Sequence, residues 1–392
     1  MKTVIDLIDK KNRRIIGAIS GTSIDAVDLV LTEISGFGKD AQISVVASGS
    51  EDIPGDIRDF ILKTSDKDTG TVEDVCKLNF AVGHLFADSI NKFINKNGLS
   101  NSDIDVIGSH GQTVYHYPKD DNVSGYSVKS TLQIGDPSVI ANLTGIMTIG
   151  DFRNADMALG GQGAPLAPYL DYVLFRSSDK TRLLINIGGI SNITFLKKDC
   201  SIEDVIAFDT GPGNMLLDRL SKEFYNKPFD ENGSQAAKGK LNQKLLDEIM
   251  RFDNYYNTKP PKSTGREFYG ESFYEYIISV AQNISDEDVM RTVTDYTAYT
   301  IHYNVKEFIN ETPDEVIVSG GGAKNEFLME LLKQYFNDSK VTELNYNGIT
   351  SGNKEAVLFA LLANEALHGN PAGMPSVSGA GKSSVLGKIC LA

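Results

Sequence analysis

Two apolar runs closing on a tip of small residues occur twice in this chain, and that repetition limits its folds more than any other feature. Ile15 to Ala18 and Leu29 to Ile34 flank the polar stretch Ser20 to Asp28. Leu183 to Ile187 and Ile193 to Leu196 flank Gly188-Gly189-Ile190-Ser191-Asn192. Apolar runs either side of a glycine- and hydroxyl-rich turn predict β-hairpins, and the repeat predicts two related lobes. A third glycine turn, Gly320-Gly321-Gly322, follows the apolar run Val316 to Val318 and precedes a helix predicted from Asn325 to Phe336. Val75, Leu78, Val82, Leu85, Phe86, Ile90, Phe93 and Ile94 recur at helical spacing, predicting a helix from Val72 to Asn97 stopped by Gly98. Ala356 to Leu367 reads as a last apolar helix. Strands feeding glycine loops that open helices place the chain in the α/β class.

A chain of 392 residues outgrows a single core, so two lobes with a cleft between them are expected. Its net charge of −14 repels a phosphate backbone, which argues against nucleic acid as a partner. Cys76, Cys200 and Cys390 show neither CxxC spacing nor a neighbouring His cluster, so no disulfide framework or zinc site is suggested. The N-terminus lacks the apolar core of a signal peptide, and no apolar stretch reaches the roughly 18 residues of a membrane span; the expected location is the cytoplasm, away from the membrane.

Three motifs carry chemistry. In the first hairpin, Gly21, Thr22 and Ser23 let backbone N–H groups face a phosphate while Asp25 and Asp28 stand ready for a metal or its waters. A plain turn with Asp caps fits the same residues. Asp209 in Asp209-Thr210-Gly211-Pro212-Gly213-Asn214 sits at a strand end before a helix, where it suits a general base beside bound phosphates, or merely caps the helix. The turn Gly320-Gly321-Gly322 with Asn325 brings backbone flush against a nucleotide, or serves packing of helix on sheet. Clusters with His110, Gln112 and Thr113, with Arg153 and Asp156, with Gln162 and Gly163, and from Lys262 to Glu267 offer directional donors and acceptors to sugar hydroxyls, although each also fits an ordinary loop.

Taken in order, Gly21-Thr22-Ser23, Gly108 to Thr113, Thr131 to Asp136, Gly150 to Pro165, Asn186 to Gly189, Asp209 to Asn214, Lys262 to Glu267, Gly320 to Gly322 and Pro375 to Ala380 resemble the anhydro-N-acetylmuramic acid kinases over nearly the whole chain. The resemblance implies an actin-like, hexokinase-type ATPase fold of two RNase-H-like lobes hinged around a nucleotide cleft. The expected division is an N-terminal lobe of residues 1–150 plus 380–392 and a C-terminal lobe of 151–379. It implies Mg²⁺ and ATP as cofactors, and conversion of 1,6-anhydro-N-acetylmuramic acid, ATP and water to N-acetylmuramic acid 6-phosphate and ADP, within peptidoglycan recycling. Asp209 matches the family's catalytic base and Glu355 its second acidic position, near the phosphates or, with Asp25, the metal. Gly188, Gly189, Gly211, Gly213 and Asn214 fall among nucleotide-binding positions, and a homodimer is the family precedent.

Two departures stand out. Ala26 replaces the second glycine usual in the family's hairpin. Asp151-Phe152-Arg153-Asn154-Ala155-Asp156 lacks two arginines of the family's Asp-Phe-Arg-Arg-Arg-Asp, and neither Asn nor Ala can replace a bidentate guanidinium. A kinase for a neutral anhydrosugar such as levoglucosan is therefore the alternative within the same chemistry. A non-enzymatic actin-like nucleotide switch is the alternative outside it.

Overall fold

A computed structural model describes residues 3–21 and 23–392 of the chain. Contacts divide it into two units, Met1–Leu174 with Asn345–Ala392, and Phe175–Leu344.

In the first unit β1 (Asn12–Ser20), β2 (Ala26–Ser35) and β3 (Gln42–Asp52) form an antiparallel meander. β4 (Val106–Val123) lies parallel to β1 and forms a long hairpin with β5 (Tyr126–Ile134), in a stretch that reads as mixed strand and loop in the sequence. β6 (Thr148–Gly150) adds parallel to β4, and the C-terminal strand Lys388–Cys390 closes that edge. The second unit repeats the plan. β7 (Arg182–Ile187), β8 (Ile190–Leu196) and β9 (Ile206–Pro212) are the meander, and β10 (Glu315–Ser319) and β11 (Lys340–Glu343) add in parallel beside β7. The first sheet runs β3-β2-β1-β4-β6 with β5 branching off β4, and the second runs β9-β8-β7-β10-β11, so both share a three-strand meander followed by parallel additions, the RNase-H-like arrangement twice over. The fold is mixed α/β, as expected.

Local chemistry explains the elements. The helix Val72–Lys96 starts where the Thr71 hydroxyl accepts the Asp74 N–H (3.0 Å) and ends before Gly98, whose φ is +69°. Leu78, Val82, Phe86, Ile90, Phe93 and Ile94 are its buried face, each contributing about 1.5–3 kcal/mol of burial. Among the described residues no helix is long and apolar enough to cross a membrane.

The division differs from the expected one, because residues 151–174 and 345–379 pack with the first unit. Gly17 on β1 and Gly108 on β4 are register partners, and the helix Lys354–Leu367 lies directly on them. A Cβ on Gly17 would stand 1.8 Å from the Ala356 carbonyl oxygen, and one on Gly108 would stand 2.1 Å from that of Phe359. Helix backbone rests on strand backbone, which only glycine permits. A buried ion pair, Lys354 Nζ to Asp171 Oδ1 at 2.6 Å, ties the same helix to the segment preceding residue 175.

Candidate functional site

In the second unit the site is built around Asp209, midway along β9 rather than at the strand end expected from the sequence. Its side chain is half-buried, and Thr264 N–H donates to Oδ2 at 2.9 Å. Burial raises its pKa to about 6, with the Thr264 N–H and Lys262 opposing and Glu267 reinforcing. A carboxyl held there changes protonation near neutral pH, the range in which a general base works best. Tyr255 OH donates to the Asp209 carbonyl at 3.0 Å, so backbone and side chain are both fixed.

The expected anion site at the helix Asn214–Tyr225 is filled by protein. The N–H groups of Gly213, Asn214 and Met215 donate to the carbonyls of Gly189, Gly188 and Gly189 at 2.9, 2.8 and 3.2 Å. The β7–β8 turn thus caps this helix, and its first N–H groups are spent before any phosphate arrives. Gly213 is glycine because its Cβ would meet the Gly188 oxygen at 2.3 Å. Gly211, in β9, would likewise crowd Thr300, with 3.1 Å to Oγ1.

The three glycines of the β10 turn divide by role. A Cβ on Gly320 would lie 2.5 Å from the Ile187 oxygen, and one on Gly322 would lie 2.4 Å from Ile187 Cγ2, so both serve packing. Gly321 is exposed and meets only Asn214 Nδ2, at 3.3 Å. With Asn214, Asp218, Phe229 and Asn325 it lines a cavity of about 430 Å³ inside the second unit. Asn325 Oδ1 also caps the following helix at Leu328 N–H (3.0 Å). Asp218 is half-buried, and burial raises its pKa to about 6.

In the first unit His110 is buried against Phe359, with ring centroids 4.5 Å apart. Arg153 Nε donates to His110 Nε2 at 3.0 Å, which places the imidazole proton on Nδ1, shared with the Gly111 carbonyl at 3.2 Å. Burial and then the Arg153 charge push the His110 pKa down to about 3, so the ring stays neutral. Arg153 Nη1 donates to the Gly163 carbonyl at 2.8 Å. Burial lowers the Arg153 pKa to about 10 while Glu355 opposes it. Asp156, expected to meet sugar, is instead an internal brace, with Gly163 N–H on Oδ2 (2.8 Å) and Ser378 OH on Oδ1 (2.6 Å). Gln162 is exposed, and its backbone N–H donates to the Ser378 carbonyl at 2.9 Å. Thr113 Oγ1 accepts from Gln133 Nε2 at 3.2 Å.

Beside them, Gln112 Oε1, Ser20 Oγ and Ser109 Oγ are buried without a hydrogen-bond partner. Ser20 and Gln112 are register partners on β1 and β4, so these atoms gather at the C-terminal ends of parallel strands, where α/β sheets bind ligands. Unsatisfied buried oxygens call for a donor from outside the protein.

On the β1–β2 turn, a Cβ on Gly21 would meet nothing within 4 Å, leaving its backbone open. Ser23 Oγ donates to Asp25 Oδ1 at 2.6 Å. Thr22 lies outside the described residues. Asp28 accepts from Ser50 Oγ at 2.9 Å, and its pKa is raised by burial and also by Asp25. Glu355, in the first turn of its helix, is exposed, yet the protein packed near it costs its carboxylate hydration; that loss, then Asp28, raises its pKa.

Relatives place this assembly. The family profile of the anhydro-N-acetylmuramic acid kinases matches residues 13–392. A protein of that name from Caldanaerobacter subterraneus subsp. tengcongensis is 43% identical, with 100% of both chains covered. One from Bacillus cereus is 41% identical over 96% of this chain and 98% of its own, and one from Clostridioides difficile is 39% identical over 95% and 97%. The chain belongs to this family. Membership makes it a kinase, with ATP as the phosphoryl donor.

A kinase of this kind implies a divalent cation, and the carboxylates suit one with few protein ligands. Among the described residues no three His, Cys, Asp or Glu side chains are close enough to hold a metal ion by themselves. Asp25 nevertheless raises the pKa of Asp28, and Asp28 raises that of Glu355. Mg²⁺ is commonly held by one or two carboxylates, with water and phosphate completing its shell.

Sequence reasoning missed Ser20 and Ser109 as orphaned polar atoms, and Asp218, Tyr255 and Asp253. Ser109 stood in a polar cluster that did signal a site. Asp253 and Tyr255 had no signal, since what ties them to the site, Tyr255 to Asp209 and Asp253 to Tyr269 and Tyr296, joins positions 16 to 46 residues apart.

Proposed function

We propose that the chain opens the 1,6-anhydro bridge of 1,6-anhydro-N-acetylmuramic acid with water and phosphorylates the freed oxygen. Asp209 takes a proton from water as the water oxygen bonds to the anomeric carbon. The bond from that carbon to O6 breaks, O6 bonds to the γ-phosphorus, and the γ-phosphoryl bond to ADP breaks. The products are N-acetylmuramic acid 6-phosphate, ADP and a proton released from Asp209. The single observation that carries this reading is the half-buried Asp209 carboxyl, poised near pH 6 by burial and oriented by the Thr264 N–H.

Glu355 and Asp25 would hold Mg²⁺, with water and phosphate completing its shell; that ion would supply neutralisation of phosphate charge. The open backbone at Gly21 suits a phosphate. The cavity lined by Asn214, Gly321 and Asn325 has the size of a nucleoside site. The orphaned oxygens of Ser20, Ser109 and Gln112 accept from sugar hydroxyl or amide donors, and Arg153 retains Nη2 for an acidic group. The enzyme is expected to work in the cytoplasm as a homodimer. ADP release with Mg-ATP and the muramyl sugar, with levoglucosan in parallel, tests the reading. Turnover confined to the muramyl sugar supports it, preference for levoglucosan moves the assignment to neutral sugars, and sugar-independent turnover contradicts it.

A further inference from the structure

Lys262 belongs to a cluster that reads as sugar-facing in the sequence, yet its ammonium points into the protein. Nζ donates to the carbonyls of Tyr256 (2.9 Å) and Tyr255 (3.3 Å). It lies 4.7 Å from the ring centroid of Tyr255, 5.3 Å from that of Phe308 and 5.8 Å from that of Phe208. Aromatic faces and carbonyl oxygens both favour a cation, so the cage selects a charged side chain.

The caged residue closes a loop around Asp209. The Lys262 carbonyl accepts the Asp209 N–H at 3.4 Å, Thr264 N–H donates to the Asp209 carboxylate at 2.9 Å, and Tyr255 OH donates to the Asp209 carbonyl at 3.0 Å. Behind the loop, buried Asp253 accepts the N–H groups of Tyr255 (2.7 Å) and Tyr256 (3.2 Å) on Oδ1 and the hydroxyls of Tyr269 and Tyr296 on Oδ2. Lys262 therefore ties the start of the loop, at 255–256, to its end, at 262–264, and both ends hold Asp209.

We propose that Lys262 is a positioning residue for Asp209: its caged ammonium keeps the loop of residues 253–264 seated on β9 and supplies the positive charge that holds Asp209 ionised. This rests on the reading of Asp209 as the base. The charged groups facing the pair are Asp253, which attracts Lys262, and Glu267, which disfavours the Asp209 carboxylate. Tyr255 and Tyr269 stay protonated, since burial raises both. Burial lowers Lys262 to about 8, with Asp253 and Asp209 opposing, so it is charged at neutral pH. Removing that charge raises the Asp209 pKa, and the acidic limb of activity moves to higher pH.

The test is the pH profile of kcat/KM for the anhydrosugar with Mg-ATP in the full chain, comparing wild type, Lys262→Met, Lys262→Gln and Lys262→Arg. Met and Gln are expected to shift the acidic limb upward by about half a pH unit to one unit, as loss of one nearby opposite charge does. They should lower kcat about 10- to 100-fold, with KM changed less than about threefold. Arg, which keeps the charge, should leave the limb within about 0.2 unit. An unmoved limb in both neutral variants overturns the proposal, as does an equal shift in Arg. Gln, which retains hydrogen-bond donors to the two carbonyls, stands in if Met does not fold. Asp209→Asn in the same assay separates the two ideas: if it remains active, the base assignment fails; if it is inactive while the Lys262 variants keep the limb, only the present proposal fails.

Discussion

Replacing Asp209 with Asn should stabilise the second unit while abolishing turnover, and the stabilisation should depend on pH. In the folded chain burial lifts this carboxyl from 3.8 to about 6. Above pH 6 the native state therefore carries a charge that it disfavours, by about 3 kcal/mol at full ionisation. Asn removes the charge and keeps an oxygen for the Thr264 N–H at the position of Oδ2. The neutral bond is weaker than the charge-assisted one, and solvent reaches part of the side chain, so the net gain is about 1–2 kcal/mol. At roughly 2–4 °C per kcal/mol for a unit of this size, Tm should rise by about 2–8 °C at pH 7.5. As pH falls from 6 to about 4 the folded carboxyl takes up its proton and the gain should shrink to a few tenths of a kcal/mol, vanishing below both pKa values. Thermal melts of both proteins at pH 7.5 and pH 4, with ADP release measured alongside, check this. Turnover should fall about 10²- to 10⁴-fold. A Tm unchanged or lowered at pH 7.5, or a gain equal at both pH values, would refute the argument that burial penalises this carboxylate.

Other expectations follow from close contacts and bonds. Gly108→Ala places a Cβ 2.1 Å from the Phe359 oxygen, and should lower stability by about 3 kcal/mol or more, read as a fall in denaturant midpoint. Gly322→Ala, meeting Ile187 Cγ2 at 2.4 Å, should also destabilise, whereas Gly321→Ala, on the cavity wall, should fold normally and raise KM for ATP; equal Tm losses in the two would contradict the division of roles. Arg153→Met removes the donors to His110 and Gly163; it should raise KM for the anhydrosugar about tenfold or more with KM for ATP little changed, and a selective ATP defect would sink that assignment.

Features set by neighbours in sequence were legible. Both hairpins, the helix from Val72 and the strand running into Gly320 follow from periodicity and turn residues, which act over a few positions. β3 was not recognised, because its exposed edge alternates polar and small residues with few apolar ones. The allegiance of the helix Lys354–Leu367 was misplaced, since it depends on Gly17 and Gly108 more than two hundred residues away. The candidate site was legible as polar residue types clustered in sequence: Asp209, His110, Gln112 and Arg153 each stand in such a cluster, although Asp209 lies midway along β9 and His110 and Gln112 lie within β4. What those residues bond to was not. Nothing local indicates that Gly188 and Gly189 turn their carbonyls onto the next helix, that Asp156 faces inward, or that Lys262 enters an aromatic cage. Each depends on which distant segment packs against a hydrogen-bonding group in the folded chain.

In the proposed reaction water opens the sugar bridge as phosphate is added, with Asp209 as base. Mass analysis of the product from 1,6-anhydro-N-acetylmuramic acid and Mg-ATP tests it most directly. The expected product has gained both water and a phosphoryl group, formed one for one with ADP and absent with Asp209→Asn. A product carrying phosphate with its anhydro bridge intact, or undiminished product from Asp209→Asn, would contradict it.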